Sequence, residues 1–164
     1  PRRFGLVDLC RADMLETPPL LEKLGVEPLT DAFDGECVAR LLMGRQTSIK
    51  SVLLNQHIIA GLGNIYACEA LWMARLFPGR EASTVRGKRA ANLAEAIKVV
   101  LNDAIAAGGS TLRDHLTPGG SLGYFQHSFK VYGKENEPCP SCNRRLVRIQ
   151  QSGRSSFFCP SCQT

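Results

Sequence analysis

Nowhere in the 164 residues is there a run of roughly 18 apolar residues, the minimum for a membrane-spanning helix. Neither a secretory signal nor a transit segment is visible at the start. The seven cysteines are odd in number, and without a secretory signal they argue against a disulfide framework and for a reducing, cytoplasmic setting. What is present is ordinary for a packed protein of one or two domains: 44% hydrophobic residues, a net charge of +5 and a pI near 9.0. That basic balance suits a polyanionic partner, although a solvated basic surface would give the same count.

Residues 48–75, SIKSVLLNQHIIAGLGNIYACEALWMAR, organise the rest. Two apolar, helix-permissive runs flank the break Gly61-Leu62-Gly63-Asn64. Glycine accepts positive φ and lets another backbone or a ligand approach closely. Asn64 is expected to cap a helix beginning at Ile65. A helix start fronted by glycines leaves N–H groups unpaired and can hold a phosphate; an ordinary capped turn is the plainer reading of the same four residues.

Taken in order, PRRFGLVDLC at 1–10 reads as two exposed arginines and a short strand. Leu20, Leu21 and Leu24 could make one short helix stopped at Gly25. Asp34 caps a helix running to about Met43, with Val38, Leu41 and Leu42 inside and Gly44 as its stop. In the helix after Asn64, the spacing of Ile65, Cys68, Leu71 and Trp72 marks one buried face. Residues 84–107 give the longest amphipathic helix, its stripe formed by Leu93, Ile97, Val100, Leu101 and Ala104. Residues 108–133 carry six glycines, yet Leu112, Leu122, Tyr124, Phe125 and Phe129 are too apolar for a solvated tether, which favours a functional loop. Phe129-Lys130-Val131-Tyr132 alternates like a strand.

Cys139-x-x-Cys142 and Cys159-x-x-Cys162 are separated by sixteen residues, a spacing that predicts a closed, structural tetrahedral zinc site. A redox dithiol is the competing reading. Leu146–Ile149 and Ser155–Phe158 read as hairpin strands joined through Gln150–Arg154. Arg144, Arg145, Arg148 and Arg154 make that hairpin basic, and Arg154 beside Gly153 projects furthest from the metal. A zinc ribbon with such a tip suits nucleic acid, or it is simply a solvated charge on a protein-binding ribbon.

Five motifs in one order, PRRFG (1–5), QTSIK (46–50), GLGNIYACEA (61–70), GGSTLRD (108–114) and VYGKENEPCPSC continuing to FFCPSC (131–162), resemble the C-terminal half of bacterial formamidopyrimidine-DNA glycosylase. The resemblance implies a mainly α protein with a small β part: a helix–two-turns–helix all-α domain followed by a four-cysteine zinc β-hairpin. It divides the chain into a terminal strand of a missing N-terminal catalytic domain (1–14), the helical DNA-binding domain (15–109), a lesion-covering loop (110–130) and the zinc hairpin (131–164). It implies one structural zinc on Cys139, Cys142, Cys159 and Cys162. The implied partner is double-stranded DNA containing oxidised bases, bound by a monomer in the bacterial cytoplasm and nucleoid.

By the same resemblance Asn64 would bind a phosphate at the lesion and Arg154 would clamp that backbone from the other side. Arg2 would face the orphaned cytosine, Phe4 would wedge into the stack and Arg3 would contact a phosphate. Lys50 is a candidate lesion-side contact. Arg113 lies in the loop, where family members often carry lysine. The family's nucleophile is an N-terminal proline followed by glutamate. Pro1 is followed instead by Arg2 and Arg3 and matches the end of that domain, so it is not assigned as catalytic. These residues alone are then expected not to excise a base. Two other readings stay open: an endonuclease VIII-like enzyme for oxidised pyrimidines, and a non-enzymatic zinc-ribbon binding module.

Overall fold

A computed structural model describes Leu9, residues 11–12, 21–109 and 125–164 of the chain. Within these residues the fold is four α-helices and one two-stranded antiparallel hairpin. Helices α1 (Gly35–Leu42), α2 (Ile49–Leu53), α3 (Asn64–Met73) and α4 (Lys88–Ala106) precede strands β1 (Val147–Gln151) and β2 (Arg154–Phe158). This is the expected mainly α class with a small β part.

Asp34 caps α1 as expected, its carboxylate accepting the Cys37 N–H at 2.8 Å. Val38 and Leu42 are fully buried, and α1 packs against α4. Ser48 caps α2 by accepting the Ser51 N–H at 3.3 Å. Helix α4 begins at Lys88, after a 3-10 turn at Ala82–Thr84 and Gly87 in positive φ, and ends at Gly108 and Gly109, also in positive φ. Leu93, Ile97, Val100 and Ala104 of its stripe are buried.

Several expectations need correction. Residues 21–24 form a turn, with Leu21 and Leu24 exposed, and Gly25 is pressed so closely on Ile58 that a Cβ would lie 2.2 Å from its carbonyl carbon. The run after Ser48 stays helical for only five residues. Asn55 Oδ1 then accepts the His57 N–H, and the chain leaves to pair with Val26 through Val26 N–H to Ile58 O and Ala60 N–H to Val26 O. Helix α3 is buried around most of its circumference: Ala67, Cys68, Glu69, Ala70 and Leu71 are all inside, while Ile65 and Trp72 are half-buried.

Residues 129–132 alternate inside and outside like a strand but pair with no strand among the described residues. Their N–H groups go to a carboxylate: Glu69, only 3% exposed, accepts from Lys130 at 2.8 Å, Val131 at 3.0 Å and Tyr132 at 2.8 Å.

The burial of α3 follows from its place between two cores. Ala67, Ala70 and Leu71 belong to the main core with α1, α2 and α4, whereas Cys68 and Trp72 face a second cluster of Val131, Cys139, Leu146, Phe157 and Cys159. Edge-to-face aromatic contacts join the two, running Tyr66–Phe125–Phe129–Tyr132–Phe157 with ring centroids 5.0–5.8 Å apart.

Candidate nucleic-acid interface and metal centre

The hairpin is tighter than its composition suggested. Register pairs Gln151 with Arg154, leaving only Ser152 and Gly153 in the loop, both in positive φ. Two such residues make the turn whose twist matches paired strands. Arg154 therefore opens β2, exposed, with no ion-pair partner among the described residues. Arg148 is paired with Glu135 at 3.2 Å, and Arg145 donates to Asn136 O at 3.3 Å.

The residue after Arg154 joins the hairpin to the helical domain. Ser155 O accepts from Asn64 Nδ2 at 3.0 Å and from Lys50 Nζ at 2.9 Å. Lys50 Nζ also donates to Ser156 Oγ at 2.6 Å, and its side chain is 1% exposed. Burial pulls the ammonium below the ordinary lysine value of 10.5, opposed by neighbouring Cys68 and helped by Arg154. Burial likewise raises the Cys68 thiol, with Lys50 opposing it. Lys50 as placed thus supports the hairpin from below.

Asn64 is not the cap of α3. Gly63 occupies that position with no side-chain cap, and Asn64 is the first helical residue. The reason is competition: the carboxamide is turned to the hairpin, one N–H on Ser155 O and a long 3.4 Å contact to Tyr132 Oη, while Oδ1 is buried with no hydrogen-bond partner among the described residues. Gly61 has positive φ, as the break requires. The uncapped start of α3 leaves its first N–H groups free of a side-chain acceptor, the condition for holding an anion. Arg2, Arg3, Phe4 and Arg113 lie outside the described residues.

The four cysteine sulfurs lie within 4.8 Å of one another, with Cys142 and Cys159 at 3.4 Å and Cys139 and Cys162 at 4.0 Å. A tetrahedral zinc with bonds of about 2.3 Å spaces its sulfurs about 3.8 Å apart, inside that spread. Four thiolates fill every position, so the site fits one structural zinc. Burial pushes the Cys139 thiol up, but donors from Trp72 and the Ser141 and Cys142 backbone outweigh it and hold it at about 7. The neighbouring Cys142 thiol, with burial and the other two cysteines, pushes Cys162 up to about 12. Metal binding releases the thiol protons.

Two positioning groups escaped the sequence reading, Glu69 and Gln163. Glu69 was visible as a lone charge inside the apolar run ACEALW. Gln163 carried no signal. Gln163 Oε1 accepts Cys159 N–H and its Nε2 donates to Leu76 O, both at 2.8 Å, which docks the second cysteine pair on the end of α3.

A break between two helices, set against a docked four-cysteine hairpin with a free arginine at its tip, defines a helix–two-turns–helix protein with an integral zinc finger. The sequence pattern of the "Formamidopyrimidine-DNA glycosylase H2TH domain" matches residues 24–115, and that of the "Zinc finger found in FPG and IleRS" matches 136–164. The chain belongs to the formamidopyrimidine-DNA glycosylase H2TH family. It is 52% identical over 169 residues to a formamidopyrimidine-DNA glycosylase of Rhodopseudomonas palustris and 55% over 164 residues to that of Cereibacter sphaeroides, each match covering 99% of this chain and 58% of the relative. The chain thus spans about 58% of the length of these curated relatives.

Among solved structures, MutM (Fpg) from Thermus thermophilus superposes with a TM-score of 0.84 at 44% identity, covering 93% of this chain and 58% of that one. A Lactococcus lactis Fpg mutant in complex with Fapy-dG containing DNA matches at TM-score 0.84 and 36% identity, covering 93% of this chain and 56% of that one. No helix among the described residues is long and apolar enough to cross a membrane.

Proposed function

We propose that this chain is the DNA-binding portion of a base-excision DNA glycosylase for oxidised purines, holding the backbone of lesion-bearing duplex DNA while a base is extruded. The observation that carries this is the convergence at Ser155: Asn64 on the helical side and Arg154 on the hairpin side meet at one backbone segment, with Lys50 bracing it. Extruding a base costs a few kcal/mol of unstacking and unpairing, and a two-sided phosphate grip offsets that cost. The carboxamide of Asn64 has two N–H donors, of which one is committed to Ser155 O, and the exposed Arg154 guanidinium supplies the opposing charge. Such contacts set register without reading sequence, which suits an enzyme that searches all of a genome. The relatives' name and the lesion-DNA complex of the Lactococcus protein support the same substrate class.

In this reading Arg2 faces the orphaned cytosine, Phe4 wedges the stack, Arg3 holds a phosphate, and residues 110–130 with Arg113 cover the extruded base. The setting is the bacterial cytoplasm and nucleoid, with the protein acting as a monomer. The whole protein would act as glycosylase and AP lyase through a nucleophile outside these residues. Binding without excision is expected of the 164 residues alone.

Salt-dependent binding to a lesion duplex tests the clamp. Log affinity falls with log salt by about 0.9 per neutralised phosphate, so Arg154→Ala should lower the slope by about one. An unchanged slope removes Arg154 from the clamp. Borohydride trapping on the same DNA tests the second claim, since an adduct on Pro1 would show excision chemistry within this chain.

A further inference from the structure

The two cysteine pairs sit in similar turns whose amides are satisfied differently. In the first, Cys142 N–H and Asn143 N–H donate to Cys139 O at 3.3 and 2.9 Å. In the second, Gln163 N–H donates to Cys159 O at 3.1 Å, and Cys162 N–H approaches Cys159 Sγ at 3.4 Å. Cys139 and Cys159 are both fully buried, so each also needs an acceptor for its own N–H, which has lost its bond to water. Cys139 N–H finds one inside the finger, on Arg144 O at 2.8 Å. Cys159 N–H takes a side chain instead, Gln163 Oε1 at 2.8 Å. The other end of that amide leaves the finger: Gln163 Nε2 donates to Leu76 O at 2.8 Å, just past the end of α3. The Gln163 side chain is 4% exposed, which shields both bonds from water.

We infer that Gln163 is a positioning residue of the zinc centre, setting the backbone at Cys159 and passing to that ligand the position of the chain leaving α3. The first cysteine's amide is satisfied within the finger in one pair, and through a bridge to the helical domain in the other. Thr164 reinforces the bridge: its N–H donates to Arg75 O at 3.2 Å, and its carbonyl accepts from Phe77 N–H at 3.3 Å and Arg80 Nε at 2.9 Å. Strand β2 is then held near both ends by the helical domain, at Ser155 through Lys50 and Asn64 and beyond Phe158 through Gln163. The consequence is that disturbing the chain at 75–77 weakens zinc binding without touching a cysteine.

Gln163→Met in the zinc-loaded protein keeps the side chain's length and deletes both the acceptor and the donor. Outer-shell partners are typically worth 10–100-fold in metal affinity, so zinc transfer to a competing chelator should quicken by about tenfold. General loosening could do the same, so the deciding measurement is amide hydrogen exchange with zinc bound. Cys159 N–H should lose protection, while Cys139 N–H, held by Arg144 O, and the amides of α4 keep theirs. Gln163→Glu carries the test should the methionine variant fail to fold. Its carboxylate still accepts from Cys159 N–H but sets an oxygen against Leu76 O, so zinc transfer should quicken while the Cys159 amide stays protected. Zinc transfer within about twofold of the parent in either variant, or equal loss of protection at Cys139 and Cys159 in Gln163→Met, overturns the inference.

Discussion

Lys50 is the side chain on which the two halves of the proposed clamp depend. Its ammonium satisfies Ser155 O and Ser156 Oγ from beneath the hairpin, and Ser156 Oγ in turn reaches Gln151 Oε1 at 2.6 Å. Lys50→Met keeps the apolar stem and deletes the donors. Ser155 O keeps Asn64 Nδ2, but the buried Ser156 Oγ loses its donor, which costs about 1–3 kcal/mol, so denaturant unfolding should show destabilisation of that order. Binding to lesion DNA should weaken with it, because Arg154 would lose its footing. Preserved stability would mean that another group replaces the ammonium at Ser156 Oγ. The salt slope of Arg154→Ala belongs to this scale too: it reports a single phosphate contact that makes no demand on the fold.

Among the elements, the segment 129–132 shows how one buried acid can replace a strand. Three successive N–H groups are satisfied by two carboxylate oxygens, and this pins the chain as it passes from the aromatic contacts at Phe125 and Phe129 into the zinc finger. Glu69→Gln replaces one of those acceptors by an amide nitrogen that faces a donor. Hydrogen bonds to charged groups contribute about 1.5–3 kcal/mol, so a loss near 2 kcal/mol is expected in thermal or urea unfolding, with circular dichroism of the helices retained at low temperature. A neutral effect would mean that water or a side chain already serves these N–H groups. The alternation of Phe129 to Tyr132 was legible in the sequence, but its partner was not. A carboxylate sixty residues earlier leaves no periodic trace, only the oddity of a glutamate amid ACEALW.

For the molecule as a whole, the contacts that fasten the zinc finger to the helical domain include Ser155 with Asn64 and Lys50, Glu69 with residues 130–132, and the Gln163–Leu76 bridge. The main core of α1, α2 and α4 lies apart from the cysteine cluster. Stripping the metal with a chelator should therefore abolish DNA binding while most helical circular dichroism remains. Coincident loss of both signals would show that the two cores fold as one. Acid should release the metal as well. Zinc-bound thiolates carry no protons and free thiols do, so the metal-free state binds more protons and gains as pH falls. Zinc release followed against pH gives the midpoint, and added zinc should move it lower.

The sequence alone determined the helical class, the capped helix after Asp34, the long α4 stripe and the four-cysteine site. Each rests on local chemistry: a cap three residues from its donor, a period of helical spacing, and ligand pairs with two residues between them. The family was legible as well, because five motifs kept their order along the chain. Tertiary structure decided what happens across distance. It took Asn64 from the capping role that its position predicts and turned it to Ser155, since a carboxamide lying between two elements is drawn to whichever acceptor the fold brings nearest. It buried Lys50 and Glu69, charges that sequence reasoning places on a surface, because each meets backbone partners that lie sixty to a hundred residues away. The break at Gly61–Asn64 was plain in the chain, but the Ser155 carbonyl that Asn64 meets, next to Arg154 in sequence, came from the hairpin's docking.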